Sequence, residues 1–266
     1  GVQSVYMKDT GLTGMYYDYA MAAPLMVPDI DTEDMEVLVL GMGTGTYATQ
    51  CKKYFGDMEI EGVEIDEKIT ELSRQYFHLP DNVHVTTYDG RAFLNATDKK
   101  YNIIMVDAYQ DITIPFQMSS VEFFTLVKEH LEDNGVMVVN MNMHSSEEGN
   151  INQYLADTIS SVFSEVYTVD VPYSTNRELF ASNNVNLYKT FEEKRKLLKN
   201  SDLYTLMEQI PDGLNKYNAG NYILTDDKAP VELLGIKVID GLIKEEAGYY
   251  KDILKKNGIK GLVGSF

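Results

Sequence analysis

Short apolar runs alternate with amphipathic segments along most of the chain, from residue 37 onward. The runs at 37–41 and 101–107 are nearly uninterrupted, which is typical of strands buried on both faces of a parallel sheet. The segments 45–55 and 118–131 instead carry apolar residues at helical spacing. Strands and helices that alternate in this order predict an α/β fold with a doubly wound, mostly parallel sheet and right-handed connections.

The pattern predicts a seven-stranded sheet. The predicted strands are 37–41, 59–64, 82–87, 101–107, 136–140, 165–170 and 178–184. The predicted helices are 45–55, 67–77, 91–96, 118–131, 150–162 and 189–209, and further helices follow residue 232. The first thirty residues give a weaker pattern, with an edge strand at 1–7 and a helix at 16–26. We therefore expect 1–30 to be the remnant of an N-terminal segment with a linking helix, and 31–266 to be a Rossmann-like domain with a C-terminal helical extension.

A glycine-rich loop follows the first predicted strand, with Gly41, Gly43 and Gly45. Glycine lets the backbone turn tightly and approach a ligand, and the next helix offers free N–H groups at its N-terminus. Glu64 lies about two dozen residues further on, where a nucleotide-binding βαβ unit carries the acid that binds ribose hydroxyls. Thr46 replaces the last small residue of GxGxxG, which favours an adenosyl-sulfonium site of the S-adenosylmethionine-dependent methyltransferase type over a nicotinamide site. The alternative is that the glycines form only a tight turn.

The composition bounds the class of protein. A chain of 266 residues, 44% of them hydrophobic, can form one large α/β domain or a domain with a small appendage. No run of eighteen apolar residues and no signal peptide is visible in the sequence. The single Cys51 excludes an internal disulfide and fits a reducing compartment, with packing as its expected role. We expect a cytoplasmic protein, or the cytosolic part of a membrane-tethered one.

The strong negative charge bears on the partners. The net charge of −18, from 23 basic and 41 acidic residues, excludes nucleic acid as an expected partner because phosphate binding needs a basic surface. Such a field would attract a cationic substrate, although the acidity can also serve solubility alone. The four histidines are scattered without metal-ligand spacing, so we predict no metal site.

Carboxylates follow several of the predicted strands. They are Glu64, Asp89, Asp107 and Asp111. Because ligands bind beyond the carboxyl ends of strands in an open α/β sheet, we expect these acids to meet at one edge. The alternative is that some of them only cap helices, as Asp66 and Asp89 would.

The chemistry of each side chain suggests its role at this edge of the sheet. Glu64 would accept hydrogen bonds from the ribose hydroxyls, Asp89 would accept one from the adenine amine, and the glycine loop would pack against the amino-acid-like tail. Asp107 ends the central fourth strand and would lie nearest the reacting centre. An amine nucleophile is mostly protonated at neutral pH, so a carboxylate beside it can hold the ammonium and take its proton.

Three tyrosines are candidates for the walls of a pocket that takes a cationic chain. Tyr16, Tyr17 and Tyr109 would act with Asp111 through charge and cation–π contacts. The alternative for each tyrosine is packing in the core or at the rim.

These motifs resemble the spermidine synthase (polyamine aminopropyltransferase) family over residues 1–185. Residues 1–3 resemble the end of its DGxxQ motif, 16–25 its YxExxxHxPL, 41–46 its GGGDGG, 63–66 its xEID, 88–90 its DG and 107–111 its DSSDP. The resemblance implies a cofactor site of Gln3, Gly41, Gly43, Gly45, Glu64, Asp89 and Gly90. It implies a substrate site of Tyr17, Asp107, Tyr109, Gln110 and Asp111, with Asp107 as the catalytic acid/base.

The chain departs from the family pattern at three places. The acid of the glycine loop, which in the family holds the amine of the aminopropyl tail, is replaced by Thr44. The polyamine-contacting histidine falls at Ala22, and the second acid of DSSDP falls on Gln110, with Asp111 one place later. These changes leave the predicted nucleoside site largely intact and remove contacts from the predicted polyamine site.

A divergent branch of spermidine synthase-like proteins, often fused to membrane segments, is more similar. Asp107-Ala-Tyr with Ile114-Pro115 resembles its DAF…IP, and 224–232 resembles its LTDDxAPVE. We expect Asp226 and Asp227 of the second motif to cap a helix, or else to approach the rim of the sheet. The resemblance also implies a β-hairpin domain or a membrane portion upstream of Gly1.

Three functions follow from these observations. The first is an aminopropyltransferase that moves the aminopropyl group of decarboxylated S-adenosylmethionine to a polyamine acceptor such as putrescine. The second is an S-adenosylmethionine-dependent methyltransferase, which Thr44 favours because a neutral residue does not repel the carboxylate of the intact cofactor. The third is a nucleoside-binding module without catalysis. The resemblance further implies a homodimer.

Overall fold

The computed structural model describes residues 4, 11–109, 113–142, 147–232, 234–236, 251 and 256. The helices are α1 (Tyr16–Ala20), α2 (Ala23–Met26), α3 (Thr46–Phe55), α4 (Glu67–Tyr76), α5 (Gly90–Ala96), α6 (Val121–Glu129), α7 (Ile151–Ser160), α8 (Leu187–Arg195) and α9 (Ser201–Gly213). The strands are β1 (Glu36–Leu40), β2 (Glu59–Glu64), β3 (His84–Thr87), β4 (Tyr101–Val106), β5 (Leu131–Met141), β6 (Glu165–Asp170), β7 (Arg177–Ser182) and β8 (Asn215–Lys216).

The described strands form one sheet in the order β3-β2-β1-β4-β5-β7-β6-β8. Strands β1 to β5 are parallel to one another, and β7 runs antiparallel to both β5 and β6. The predicted α/β, mostly parallel, Rossmann-like sheet is therefore confirmed. The predicted number of seven strands is wrong, since the described residues alone form eight. Strand β8 has only two residues and pairs with β6 over a short register, so it leaves no hydrophobic pattern to detect.

Two hydrophobic cores cover the two faces of the sheet. One core contains Val37 and Val39 of β1 and joins them to α1, α2, α3, α8 and α9. The other contains Leu38 and Leu40 of the same strand and joins them to α5, α6 and α7. Residues 37–40 are thus buried on both faces, which explains why the run carries no polar residue.

Several predicted boundaries differ from the structure. The helix predicted at 16–26 is two short helices, because a turn at Met21 and Ala22 separates α1 from α2. The helix predicted at 189–209 is also divided, since Asn200 accepts hydrogen bonds from the N–H groups of Asp202 and Leu203 and begins α9. The edge strand predicted at 1–7 lies outside the described residues apart from residue 4, and the division at residue 30 remains a prediction. Within the described ranges, every helix is too short or too polar to span a bilayer.

Candidate active site

The glycine loop brings the end of β1 against the end of β4. Gly41 has φ of +84°, and a Cβ there would lie 2.6 Å from the carbonyl oxygen of Asp107. The N–H groups of Gly41 and Met42 both donate to the carbonyl of Val63, at 2.9 and 3.0 Å. Only glycine tolerates this backbone and this contact, so position 41 fixes how closely the loop approaches the neighbouring strand ends.

Glu64 lies directly beneath the glycine loop. One carboxylate oxygen accepts the N–H of Gly43 at 2.8 Å and the other accepts the N–H of Asp66 at 3.1 Å. The side chain is 6% exposed. Each carboxylate oxygen can accept a second hydrogen bond, so Glu64 is held rigidly and still has capacity for two hydroxyl donors.

Asp66 and Asp89 are both N-cap residues, as the capping alternative predicted. Asp66 Oδ1 accepts the N–H of Lys68 at 2.9 Å at the start of α4, and Asp89 Oδ1 accepts the N–H of Ala92 at 2.8 Å at the start of α5. Gly90 follows, and a Cβ there would lie 3.2 Å from Cε of Met118. Capping uses one oxygen of Asp89, so the predicted contact of its other oxygen with an adenine amine is compatible with this geometry.

Asp107 lies just past the last residue of β4, partly buried at the sheet edge. Its Oδ2 accepts the phenol of Tyr16 at 2.7 Å, and its Oδ1 accepts the amide Nδ2 of Asn140 at 2.8 Å. Burial raises the pKa of Asp107 to about 6; the hydrogen bonds from Asn140 and Tyr16 oppose this rise, and the charge of Glu64 adds to it. Glu64 and Asp107 thus lie near enough to interact electrostatically, and a carboxyl with this pKa can act as a base near neutral pH.

A polar network supports the position of Asn140. Its Oδ1 accepts the amide of Asn176 at 2.8 Å, and Asn176 Oδ1 accepts the hydroxyl of Ser174 at 2.6 Å. The fixed acceptor orients the Asn140 amide so that its Nδ2 faces Asp107. Tyr109 adds to this edge, because its phenol donates to the carbonyl of Asn140 and accepts the N–H of Asn142 at 2.9 Å.

The remaining predicted substrate and cofactor residues have different settings. Tyr17 is 1% exposed and its phenol donates to the sulfur of Met15, while its neighbour Tyr16 contacts Asp107. Gln3, Gln110 and Asp111 lie outside the described residues. The roles assigned to these positions therefore remain predictions.

Sequence reasoning missed Asn140, Asn176 and Glu178. Asn140 is the one polar side chain of β5 after Gly135, and Glu178 is a buried acid at the start of β7, next to Leu179. A polar residue inside such a run is a detectable signal, but its partners are set by strands that are far apart in sequence.

The expectation that Asp226 caps a helix is wrong. Its carboxylate oxygens accept both terminal nitrogens of Arg91 at 2.7 Å each, and one oxygen also accepts the hydroxyl of Ser120 at 2.5 Å. Arg91 in turn donates to the carbonyl of Gln117 at 3.0 Å. Asp226, in the motif at 224–232, thus forms a clamp with Arg91 that holds the first turn of α5 in place, directly beside Asp89. Arg91 and Asp226 are 135 positions apart in the sequence, so local helix signals could not predict their pairing.

Comparison with known proteins identifies the family. The family model for the spermine/spermidine synthase domain matches residues 17–187. The chain belongs to this family. A protein of Bifidobacterium longum (strain NCC 2705) named "Probable polyamine aminopropyl transferase" is 53% identical over 283 residues, covering 99% of this chain and 62% of that relative. The chain thus spans less than two thirds of that relative's length.

Solved structures share the fold. A spermidine synthase from Thermotoga maritima superposes with a TM-score of 0.60 at 18% identity, covering 75% of this chain and 72% of that one. Human methyltransferase-like protein 13, solved in complex with SAH, also gives 0.60, at 20% identity, covering 70% of this chain and 92% of that one. Members of the synthase family and a methyltransferase-like protein thus share this architecture, so the fold by itself does not choose between the two reactions.

Proposed function

We propose that the protein is a polyamine aminopropyltransferase that uses decarboxylated S-adenosylmethionine and a polyamine acceptor such as putrescine. The observation that carries this proposal is Asp107, a carboxyl with a pKa of about 6 held by Tyr16 and Asn140 at the end of the central strand. Membership of the spermine/spermidine synthase domain family and 53% identity to a probable polyamine aminopropyl transferase support it.

In this proposal the nucleoside of the donor binds along the glycine loop. Glu64 accepts hydrogen bonds from the ribose hydroxyls, since its carboxylate is already fixed by two backbone N–H groups. Asp89 accepts the adenine amine with the oxygen that does not cap α5, and Gly41, Gly43, Gly45 and Gly90 give the close approach that bulkier residues would block. Gln3 is a further proposed nucleoside contact.

Asp107 binds and deprotonates the attacking amine. The acceptor arrives as an ammonium, which the Asp107 carboxylate holds and from which it takes one proton. The freed nitrogen lone pair attacks the donor carbon next to the sulfonium and forms the new C–N bond. The C–S bond breaks, its electron pair goes to sulfur, and methylthioadenosine leaves uncharged. Tyr17, Tyr109, Gln110 and Asp111 are proposed as further residues around the acceptor.

Product analysis tests the proposal. The protein is incubated with decarboxylated S-adenosylmethionine and a panel of amines that includes putrescine, and the products are identified by mass spectrometry. Equal yields of methylthioadenosine and of an amine heavier by one aminopropyl group support the proposal. If neither product forms while the nucleoside binds, aminopropyl transfer is not the function.

One feature favours a methyltransferase as a second candidate. Thr44, whose hydroxyl lies 3.2 Å from that of Thr46, puts no negative charge in the glycine loop to repel the carboxylate of intact S-adenosylmethionine. Parallel calorimetric titrations with S-adenosylmethionine, its decarboxylated form and methylthioadenosine decide between the two. Tighter binding of the carboxylated form, with methyl transfer to an acceptor, would favour this second function. Dimer formation, a membrane portion upstream and a cytoplasmic location remain expectations.

A further inference from the structure

A buried carboxyl beside the candidate site has no partner in the described part of the chain. Glu178 is 0% exposed, and neither of its oxygens makes a hydrogen bond there. Burial, and then the charge of Asp107, raise the pKa of Glu178 well above its usual range. An unpaired buried carboxyl costs folding free energy, so its presence calls for an explanation beyond packing.

The register of the sheet places Glu178 in line with Asp107. Glu178 pairs directly with Asn140 across β7 and β5, so the two side chains project from the same face. Asn140 donates to Asp107 from that face, one residue beyond the paired Val106 and Val139. Adjacent strands lie about 4.8 Å apart, so the backbones of Asp107 and Glu178 are separated by about 10 Å.

The groups that face Glu178 are all neutral or acidic. Tyr16 of α1, Tyr47 of α3 and Tyr109 after β4 lie near enough for a charge on Glu178 to raise their pKa values. The neighbouring Arg177 is paired with Asp170 at 2.5 Å. No lysine or arginine among the described residues forms an ion pair with Glu178. The row Asp107–Asn140–Glu178 is therefore two carboxyls without a cation, separated by an amide.

We propose that Glu178 binds the second ammonium of a diamine acceptor whose reacting nitrogen lies at Asp107. The inference rests on the proposed function and deepens it by naming the residue that holds the far end of the acceptor. The nitrogens of a four-carbon diamine are about 6 Å apart when extended, a span that fits between two carboxyl groups whose backbones are about 10 Å apart. Because burial raises the pKa of Glu178, the arrival of the ammonium favours release of the Glu178 proton to solvent.

Calorimetry on the protein saturated with methylthioadenosine tests this assignment. The ligands are 1,4-diaminobutane and n-butylamine, and the variants are Glu178→Gln and Glu178→Leu. We expect both variants to bind the diamine at least tenfold more weakly and to bind the monoamine within twofold of wild type. Titration in two buffers of different ionisation enthalpy should show greater proton release on diamine binding in wild type than in either variant.

A matched control comes from the adjacent strand. Glu165 of β6 is also a buried glutamate, but it is paired with Lys216 at 2.8 Å. Glu165→Gln should leave diamine affinity within twofold of wild type. Glu178→Leu should also raise the melting temperature, because it removes an unpaired buried carboxyl, so lost affinity would not reflect misfolding.

Several outcomes would overturn the assignment. They are diamine affinity unchanged in both variants, an equal loss for the monoamine, no diamine binding by the wild type, or loss of methylthioadenosine binding in both variants. Failure of the proposed function is seen separately, since it is the absence of aminopropylated product from the wild type with the decarboxylated donor. Binding of the diamine through Glu178 can be measured whether or not that transfer occurs.

Discussion

The phenol of Tyr16 donates a 2.7 Å hydrogen bond to Oδ2 of Asp107, although 91 positions separate the two residues along the chain. The bond brings α1 onto the carboxyl end of β4 and completes the set of donors on this carboxylate with Asn140. Because both donors favour the ionised form, they keep the pKa of Asp107 from rising further in its buried setting. Tyr16 thus connects α1 to the candidate site at Asp107.

Removing this bond should change the pH dependence of the reaction. Tyr16→Phe takes away a hydrogen bond to a charged group, worth about 1.5–3 kcal/mol, so the pKa of Asp107 should rise by about one to two units. We expect the acidic limb of the pH profile of kcat/KM to move to higher pH, with methylthioadenosine affinity unchanged.

Tyr101→Phe is the matched control for that variant. The phenol of Tyr101 also donates to a carboxylate, Glu61, at 2.9 Å, but at the opposite end of β4. The pH profile of Tyr101→Phe should coincide with that of the wild type. An unmoved acidic limb in Tyr16→Phe would show that Tyr16 does not tune Asp107.

Asp107→Asn should remove turnover while the nucleoside still binds. General base catalysis contributes about 10²–10⁴ in rate, so we expect kcat to fall at least a hundredfold. In the wild type, activity should be lost as pH falls through about 6, because the protonated carboxyl cannot accept the proton of the amine. Steady-state kinetics and methylthioadenosine titration measure the two effects. Full activity in the variant would exclude Asp107 as the base.

Asp107→Asn should also change how the free energy of unfolding depends on pH. The folded pKa of Asp107, about 6, exceeds the usual value of 3.8, so ionisation favours the unfolded chain and stability is lost as pH rises through about 6. Between pH 5 and 7.5 this loss is about 1.4 kcal/mol for a shift of this size. Urea unfolding should therefore show Asp107→Asn gaining about that much relative to wild type over this interval. No relative gain would mean that the Asp107 pKa is not raised.

Glu64→Ala should weaken nucleoside binding by about 1.5–3 kcal/mol, the range for hydrogen bonds to a charged group. It also releases the N–H of Gly43, so the glycine loop loses an anchor. Glu59→Ala at the other end of β2 is the control, because Glu59 is exposed and paired only with Lys99. Calorimetry with methylthioadenosine compares the variants, and equal affinities would refute the ribose role of Glu64.

The clamp formed by Asp226 should act on nucleoside binding and hardly on the chemical step. Asp226→Ala removes the paired bonds to Arg91, which hold α5 with Asp89 at its start, and the bond to Ser120 at the start of α6. We expect the free energy of unfolding to fall by about 1–3 kcal/mol and KM for the donor to rise more than kcat falls. Asp227→Ala is the control, because Asp227 is the exposed neighbour of Asp226. A normal KM in Asp226→Ala would restrict the clamp to stability.

Thr44→Asp should change the choice of donor. A carboxylate in the glycine loop would attract the free amine end of the decarboxylated donor and repel the carboxylate of S-adenosylmethionine. We expect the ratio of their affinities to shift at least tenfold toward the decarboxylated form, as measured by parallel titration. Thr44→Asn, which is neutral, is the control. A shift of equal size in Thr44→Asn would exclude charge as the cause.

The sequence by itself determined the fold class and the placement of the glycine loop next to Glu64. Uninterrupted apolar runs such as 37–40 must be covered on both faces, which requires a sheet with helices on either side. Glycines directly after such a strand, and Glu64 at the end of the next one, are local signals, because adjacent parallel strands bring their ends together by topology alone.

Only the tertiary structure decided the surroundings of Asp107 and the role of Asp226. Tyr16, Asn140 and Glu178 meet Asp107 through strand order and register, which depend on the packing of the whole sheet. The antiparallel insertion of β7 between β5 and β6 sets Glu178 beside Asn140, and no local pattern encodes that choice. Contacts between distant segments depend on the summed burial of many side chains, so a short motif cannot specify them.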